Sequence, residues 1–358
     1  MALSSGRSAV VAVRGTPGFS RLGDEHGDAE HEPDGDDPHP QDLAETYPVL
    51  VSMRDAARMT LTVGFIGLGT MGGPMAANVA RAGHHVVGLD TDTARAAAWV
   101  AEHGGIAADG PEAFAEVPIV VTMLPNGKVV RSAVLEGGVA DALPDGAVVV
   151  DMSSSEPWET LSLAPELARR GVTLLDAPVS GALTRAIDAT LTIMLGGEDE
   201  AAIARATPVI ETMSERIFRT GPLGSAHAMK GLNNFITGTG FVATCEALVV
   251  GAKAGLDPAV MLDVMNASSG FNFTSQLIGP AEIVTRRFAS GFALALLAKD
   301  VGIADDLARE LGVDAPTAHM VVERLRGALD QLEPTADTTM ALTVWERAAG
   351  VTVATERG

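Results

Sequence analysis

Between Leu61 and Gly221 short apolar runs recur at Thr62–Ile66, His85–Leu89, Pro118–Leu124, Ala147–Asp151, Val172–Asp176 and Thr190–Leu195. Ala-rich helical stretches separate them. Strands alternating with helices predict an α/β fold built on a mostly parallel, doubly wound sheet of Rossmann type. Ligands in such sheets bind beyond the carboxyl ends of the strands, here the loops opening at Leu124, Ser153 and Pro178. The pattern then changes. From about Leu223 to Gly255 an apolar run rich in small residues and free of Pro predicts one long helix. Helical segments follow near 258–267, 276–288, 292–312, 315–329 and 335–349, making an all-α C-terminal domain. The expected organisation is an extension over 1–60, a nucleotide-binding domain over 61–221 and a helical domain over 222–350.

The first strand runs directly into Gly67-Leu68-Gly69-Thr70-Met71-Gly72, then into a helix that Gly83 stops, then into a strand ending at Asp90. A bare GxGxxG means little. Placed between a strand and a helix, with an acid 23 residues after its first Gly, it reads as a dinucleotide site. Gly67 permits the turn, Gly69 lets the pyrophosphate approach the backbone, and Gly72 lets helix and strand pack closely. The phosphates would rest on free N–H groups at the helix start. Asp90 can accept both ribose hydroxyls of NAD and would repel the extra phosphate of NADP, although the nearby Arg95 weakens that discrimination. NAD is expected, with NADP not excluded.

The chain has 358 residues and a formal charge of −21, from 25 Lys and Arg against 46 Asp and Glu. So acidic a surface should repel nucleic acid and anionic membranes. Residues 1–60 hold 5 of the basic and 11 of the acidic groups, leaving −15 on the remainder. Asp24–Glu45 carries ten carboxylates with His26, His31 and His39 and no Lys or Arg, and is expected to be disordered. Metal binding by those His is possible, but a solvated charge run explains them more simply, and no metal is expected. Residues 1–23 faintly resemble a transit peptide, and an upstream start explains them as well. One Cys excludes an intrachain disulfide. The bias to Arg, Ala and Gly suits a GC-rich bacterial genome, and a cytoplasmic protein is expected. The most apolar stretch, Gly231–Cys245, lies between Lys230 and Glu246 and reads as too short for a membrane span.

Only four Lys occur. Lys230 sits near the start of the long helix with Asn234 at i+4 and His227 at i−3, so the three are expected on one stripe. Lys299 precedes Asp300. The small residues Thr237, Gly240, Thr244, Ala247 and Gly251 suggest close helix packing across a subunit interface, in a homodimer or homotetramer.

Four blocks in order resemble the β-hydroxyacid dehydrogenase family, which includes the 3-hydroxyisobutyrate dehydrogenases, over roughly 61–350. They are Phe65–Met75, Asp176-Ala-Pro-Val-Ser-Gly181, Gly221–Asn234 and Ala298-Lys-Asp300. The resemblance implies that Lys230 is the catalytic acid/base and Asn234 orients the reacting groups. It implies that Ser180, Gly181 and Ala182 hold the substrate, that Leu124, Pro125 and Ser154 line the cofactor, and that Lys299 reaches it. Four positions depart from the family pattern: Ala182 stands for a usual Gly, Ser154 for a common Thr, and Ala226-His227 for a frequent Gly-Gln.

Oxidising an alcohol moves hydride to the nicotinamide and needs a base for the hydroxyl proton. A Lys can serve if desolvation lowers its pKa. The sole Tyr, Tyr47, falls in the extension, against the Tyr–Lys chemistry of short-chain dehydrogenases. Cys245 lies in an apolar helix and reads as core. A His-based 2-hydroxyacid dehydrogenase would need His227 or His319 beside an acid and an Arg clamp, which neither has in sequence. The expected reaction is NAD-dependent oxidation of a small 3-hydroxy acid to its semialdehyde. Alternatives are an NADPH-dependent semialdehyde reductase (tartronate, succinic or glyoxylate), an imine-reducing relative, which Lys230 disfavours, or a non-catalytic dinucleotide binder.

Overall fold

A computed structural model describes residues 60–355. The extension, with its acidic run, its three His and Tyr47, lies outside the described residues. The remainder begins with β1 (Thr62–Ile66), α1 (Gly72–Arg81), β2 (His85–Leu89), α2 (Thr93–His103), β3 (Ile106–Ala107), β4 (Ile119–Thr122), α3 (Gly127–Arg131) and α4 (Val139–Ala142). It continues through β5 (Val148–Asp151), α5 (Pro157–Ala168), β6 (Thr173–Asp176), β7 (Val179–Ser180), α6 (Ala182–Ile187), β8 (Leu191–Gly196), α7 (Glu200–Ile210) and β9 (Ser214–Gly221).

The sheet has nine strands in the order β3-β2-β1-β4-β5-β6-β8-β7, with β9 also paired to β8. From β3 to β6 every pairing is parallel. β8 then turns antiparallel to both β6 and β7. The central strands are apolar because helices cover both faces. One cluster includes Val63, Phe65, Val121, Val150 and Ile193, and the other includes Ile66, Val120, Val149 and Phe114.

Past Gly221 all longer elements are helical: α8 (Ser225–Lys253), α9 (Pro258–Asn266), a wide π-type segment (Thr274–Ile283), α10 (Leu294–Glu310), α11 (Pro316–Leu329) and α12 (Ala341–Ala349). α8 is the axis of this layer. Its Gly231 and Gly238 lie so close to α10 that an added methyl would sit 2.9 Å from Ile303 Cγ2 and 2.8 Å from Val301 Cγ2. Two residues of the small-residue stripe, Gly251 and Thr244, are packed within the chain. Gly251 backs onto Met261, and Thr244 bonds the side chain of Asn272. By length and composition α8 is also long and apolar enough to cross a membrane. Sequence reading missed this by stopping at Lys230 and Glu246. In the fold its buried face packs on Leu294, Leu297, Val321, Leu325 and Trp345 of neighbouring helices.

Candidate active site

The glycine loop divides into structural and open positions. At Gly67, φ is +95°, and a methyl there would lie 2.4 Å from the Met123 carbonyl oxygen. At Gly72 it would lie 1.9 Å from the Gly67 carbonyl. Neither position can hold a side chain. Around Gly69, by contrast, a methyl meets nothing within 4 Å, and Thr70 beside it is exposed. Leu68 packs its side chain over Gly88 of β2. α1 follows Met71 without a side-chain cap and has no acid in its first turn; Gly73 N–H already bonds the Gly69 carbonyl and Pro74 has none, which leaves the N–H groups of Thr70, Met71 and Gly72 to an anion. A dinucleotide pyrophosphate fits this cradle.

Asp90 closes the far side. It accepts N–H bonds from Leu68 and Asp92, each 2.8 Å, and pairs with Arg95 Nη1 at 3.0 Å. Burial works against ionisation of this carboxyl, yet the two backbone N–H groups and Arg95 outweigh it and hold the pKa below the ordinary 3.8. A carboxylate has about four acceptor directions. With three donors in place, Asp90 has room for one further donor, and for a second only if the exposed Arg95 swings away. The expectation that it accepts both is narrowed accordingly.

The loops after β4 and β5 meet α10 through Lys299. Its Nζ donates to the carbonyls of Pro125 and Ser154 and lies 3.0 Å from Asp300 Oδ1. Asp300, 3% exposed, accepts from Asn234 Nδ2 at 2.6 Å. Leu124 is held by its N–H on Ser153 Oγ at 2.9 Å. Asn234, Lys299, Pro125 and Ser154 therefore form one connected cluster, with Leu124 tied to its edge through Ser153.

Lys230 stands one turn before Asn234. Among the described residues none offers its Nζ a hydrogen bond or an ion pair within 4.0 Å. Burial pulls its pKa below the ordinary 10.5; Asp300 resists and Lys299 adds to the lowering. The lowering favours the neutral amine, the form that can accept a proton. Ser180 ends β7 and is half-buried, outside this hydrogen-bonded cluster. Gly181 has φ +138° and Ala182 φ +55°, so the Ala that replaces a usual Gly is held in the left-handed region.

Sequence reading missed the groups that lock the site together. β5 and β6 both end in Asp, and Asp151 and Asp176 are paired in register. Asp176, 0% exposed, accepts N–H bonds from Gly224, Ala226 and His227 at 2.9–3.0 Å. It caps α8 from another strand. Asp151 accepts from Thr122, Ser153 and Ser155. An acid closing an otherwise apolar strand was the available signal, because a buried carboxylate must find donors.

His227 corrects two expectations. It is turned into this network rather than sharing Lys230's surroundings, and it lies 3.8 Å from Asp151 and 3.9 Å from Asp176. His319 also has an acid and an Arg nearby, through the buried Asp305 and Arg309, but the His319 and Arg309 side chains are themselves exposed. Cys245 is buried as expected, and burial, with Glu246 and Glu346 nearby, drives its thiol far above the ordinary range.

Residues 62–221 match a family profile described as the NAD binding domain of 6-phosphogluconate dehydrogenase. Residues 224–345 match one described as NAD-binding of NADP-dependent 3-hydroxyisobutyrate dehydrogenase. The chain is 36% identical to 2-(hydroxymethyl)glutarate dehydrogenase of Eubacterium barkeri, over 82% of this chain and 98% of that one. It is 39% identical to 3-hydroxyisobutyrate dehydrogenase of Pseudomonas aeruginosa, over 71% and 87%. Among solved structures, Mycobacterium tuberculosis 3-hydroxyisobutyrate dehydrogenase with L-serine superposes with a TM-score of 0.74 at 32% identity, covering 80% of this chain and 99% of that one.

Proposed function

The chain belongs to the β-hydroxyacid dehydrogenase family and is an NAD(P)-dependent dehydrogenase acting on CH–OH groups; from that premise we propose that it oxidises a small 3-hydroxy acid to the semialdehyde with NAD. The observation that carries the reading is Lys230, a desolvated amine without a fixed partner, one helical turn from the Asn234–Asp300 bond.

The hydroxy acids in the relatives' names share one fragment, a CH2OH on the carbon that bears the carboxylate: 3-hydroxyisobutyrate, 2-(hydroxymethyl)glutarate and L-serine. They differ in the third substituent. The proposed substrate keeps that fragment, and its third substituent stays open. Ser180 and the backbone at Gly181 and Ala182 would hold the carboxylate. Asn234 would orient the hydroxyl, and neutral Lys230 would take its proton as the C–H hydride leaves. In reduction the ammonium would return it. The bound nicotinamide supplies the hydride acceptor. Gly67–Gly72 and Asp90 would hold the dinucleotide, with Leu124, Pro125 and Ser154 along its nicotinamide half and Lys299 fastening those loops.

Residues 61–221 are proposed as the nucleotide-binding domain and 222–350 as the substrate domain, with 1–60 an extension outside catalysis, in a cytoplasmic enzyme. Met229, Leu232 and Ile236 on α8, 43–67% exposed, support self-association through the helical layer. Arg95, held on Asp90 by an exposed pair, favours a second reading in which NADP and semialdehyde reduction dominate. A rate screen of hydroxy acids with NAD and NADP, followed by nicotinamide absorbance, tests both. Turnover of CH2OH acids with NAD supports the first, equal or faster rates with NADP support the second, and no turnover of any hydroxy acid overturns both.

A further inference from the structure

The imidazole of His227 is 0% exposed, and both of its nitrogens are engaged. Nε2 lies 3.1 Å from the Ser153 carbonyl and Nδ1 2.7 Å from Thr160 Oγ1. A carbonyl only accepts, so Nε2 donates to Ser153, while Nδ1 pairs with the Thr160 hydroxyl, which also reaches the Glu156 carbonyl at 3.3 Å. The ring thereby joins three elements: the first turn of α8, the loop after β5, and α5. Ser153 extends the connection to the loop after β4 through the Leu124 N–H. Beneath the ring, Asp176 holds the His227 N–H and Asp151 holds the Ser153 N–H. Lys230 follows three residues later.

We propose that His227 is a positioning residue for Lys230, fixing the first turn of α8 against the two loops that would line the cofactor. This rests on reading Lys230 as the acid/base. His227 is closed to solvent and committed at both nitrogens, so it has no route to substrate. Its effect is geometric: a displacement of about 1 Å at a reacting group can cost on the order of 100-fold in rate. A carboxamide can reproduce both bonds, donating N–H to Ser153 and accepting from Thr160, whereas an isobutyl group fills the volume and makes neither.

The test compares H227L, H227Q, T160V and K230M in the full-length protein, with 3-hydroxyisobutyrate and L-serine as probes. The measurements are kcat, KM, NAD affinity and the pH dependence of kcat. H227L is expected to lose about 10- to 100-fold in kcat with NAD affinity held within about 3-fold. The charged groups facing Lys230 are Asp300 and Lys299 of α10. Once the helix start loosens and water reaches the amine, the rising limb of the oxidation profile should move to higher pH. H227Q should recover most of the lost kcat. If H227L fails to fold, T160V carries the test with a smaller loss in the same direction.

H227L that is folded and binds NAD but keeps kcat within about 2-fold, with its pH limb unmoved, overturns the proposal. So does H227Q that is as impaired as H227L. Full activity in K230M overturns the acid/base reading itself, and is seen independently of the His227 variants.

Discussion

The capping of α8 by Asp176 makes a stability prediction that can be worked from the structure. Asp176→Asn keeps the shape but leaves one carbonyl oxygen for three N–H groups, and turns an NH2 toward them. The native carboxylate accepts bonds of 3.0, 2.9 and 3.0 Å from Gly224, Ala226 and His227. A hydrogen bond to a charged group contributes about 1.5–3 kcal/mol, and an unsatisfied buried donor costs about 1–3. Losing an ordinary exposed cap costs only about 0.5–2 kcal/mol. Because the side chain is 0% exposed, water cannot substitute. The bonds are not additive, and roughly 3–5 kcal/mol is expected in total, against a whole stability of about 5–15. Urea unfolding followed by far-UV circular dichroism measures this as a lower midpoint at a similar slope. A loss below about 1 kcal/mol would refute a buried cap and reduce Asp176 to an ordinary strand-end residue.

Other outcomes follow from the same geometry. Gly69→Ala should fold normally and weaken NAD binding by at least about 10-fold, whereas Gly72→Ala, whose methyl would meet the Gly67 carbonyl at 1.9 Å, should be strongly destabilised; calorimetric titration and thermal melting separate the two. Ala182→Gly removes a left-handed φ of +55°; strain of about 1–2 kcal/mol less the entropy of Gly leaves a gain of about 0.5–1 kcal/mol, read as a higher Tm. Asp90→Ala should release Arg95 and shift the NAD to NADP ratio of kcat/KM toward NADP by about 10-fold or more; an unchanged ratio would remove Asp90 from cofactor choice.

Much of the sheet was legible because its central strands are covered on both faces and therefore spell continuous apolar runs. β1, β2, β4, β5 and β6 fall within the expected runs, and β8 passes its run by one residue, Gly196. β9 was not seen, because most of Ser214–Gly221 is exposed and polar, leaving no run to read. β3 and β7 are two residues each, too short for any period. The glycine loop and the scarce lysines also marked their places in advance, because a close backbone approach and a desolvated cation each restrict the residue type.

The network around His227 was hidden for a different reason. Asp151 and Asp176 become neighbours only through strand register, and only then does the base of α8 descend on them. Spacing placed His227 three residues from Lys230, but the helix start turns its ring into the sheet. The small residues of α8 forecast close packing across a subunit interface; within the chain, Gly231 and Gly238 lie against α10, Gly251 against Met261 and Thr244 against Asn272.

The central claim is that Lys230 moves the hydroxyl proton. Oxidation needs the neutral amine, so wild-type kcat should rise with pH through a pKa below the ordinary 10.5, lowered chiefly by burial. In reduction the dependence is reversed. The direct measurement is kcat against pH for wild type and K230M on one hydroxy acid that turns over, with NAD affinity measured alongside. K230M is expected to lose about 100-fold or more in kcat, the usual weight of general acid–base catalysis, and to lose the rising limb while still binding NAD. A K230M enzyme that keeps most of its kcat and the same limb would contradict the account.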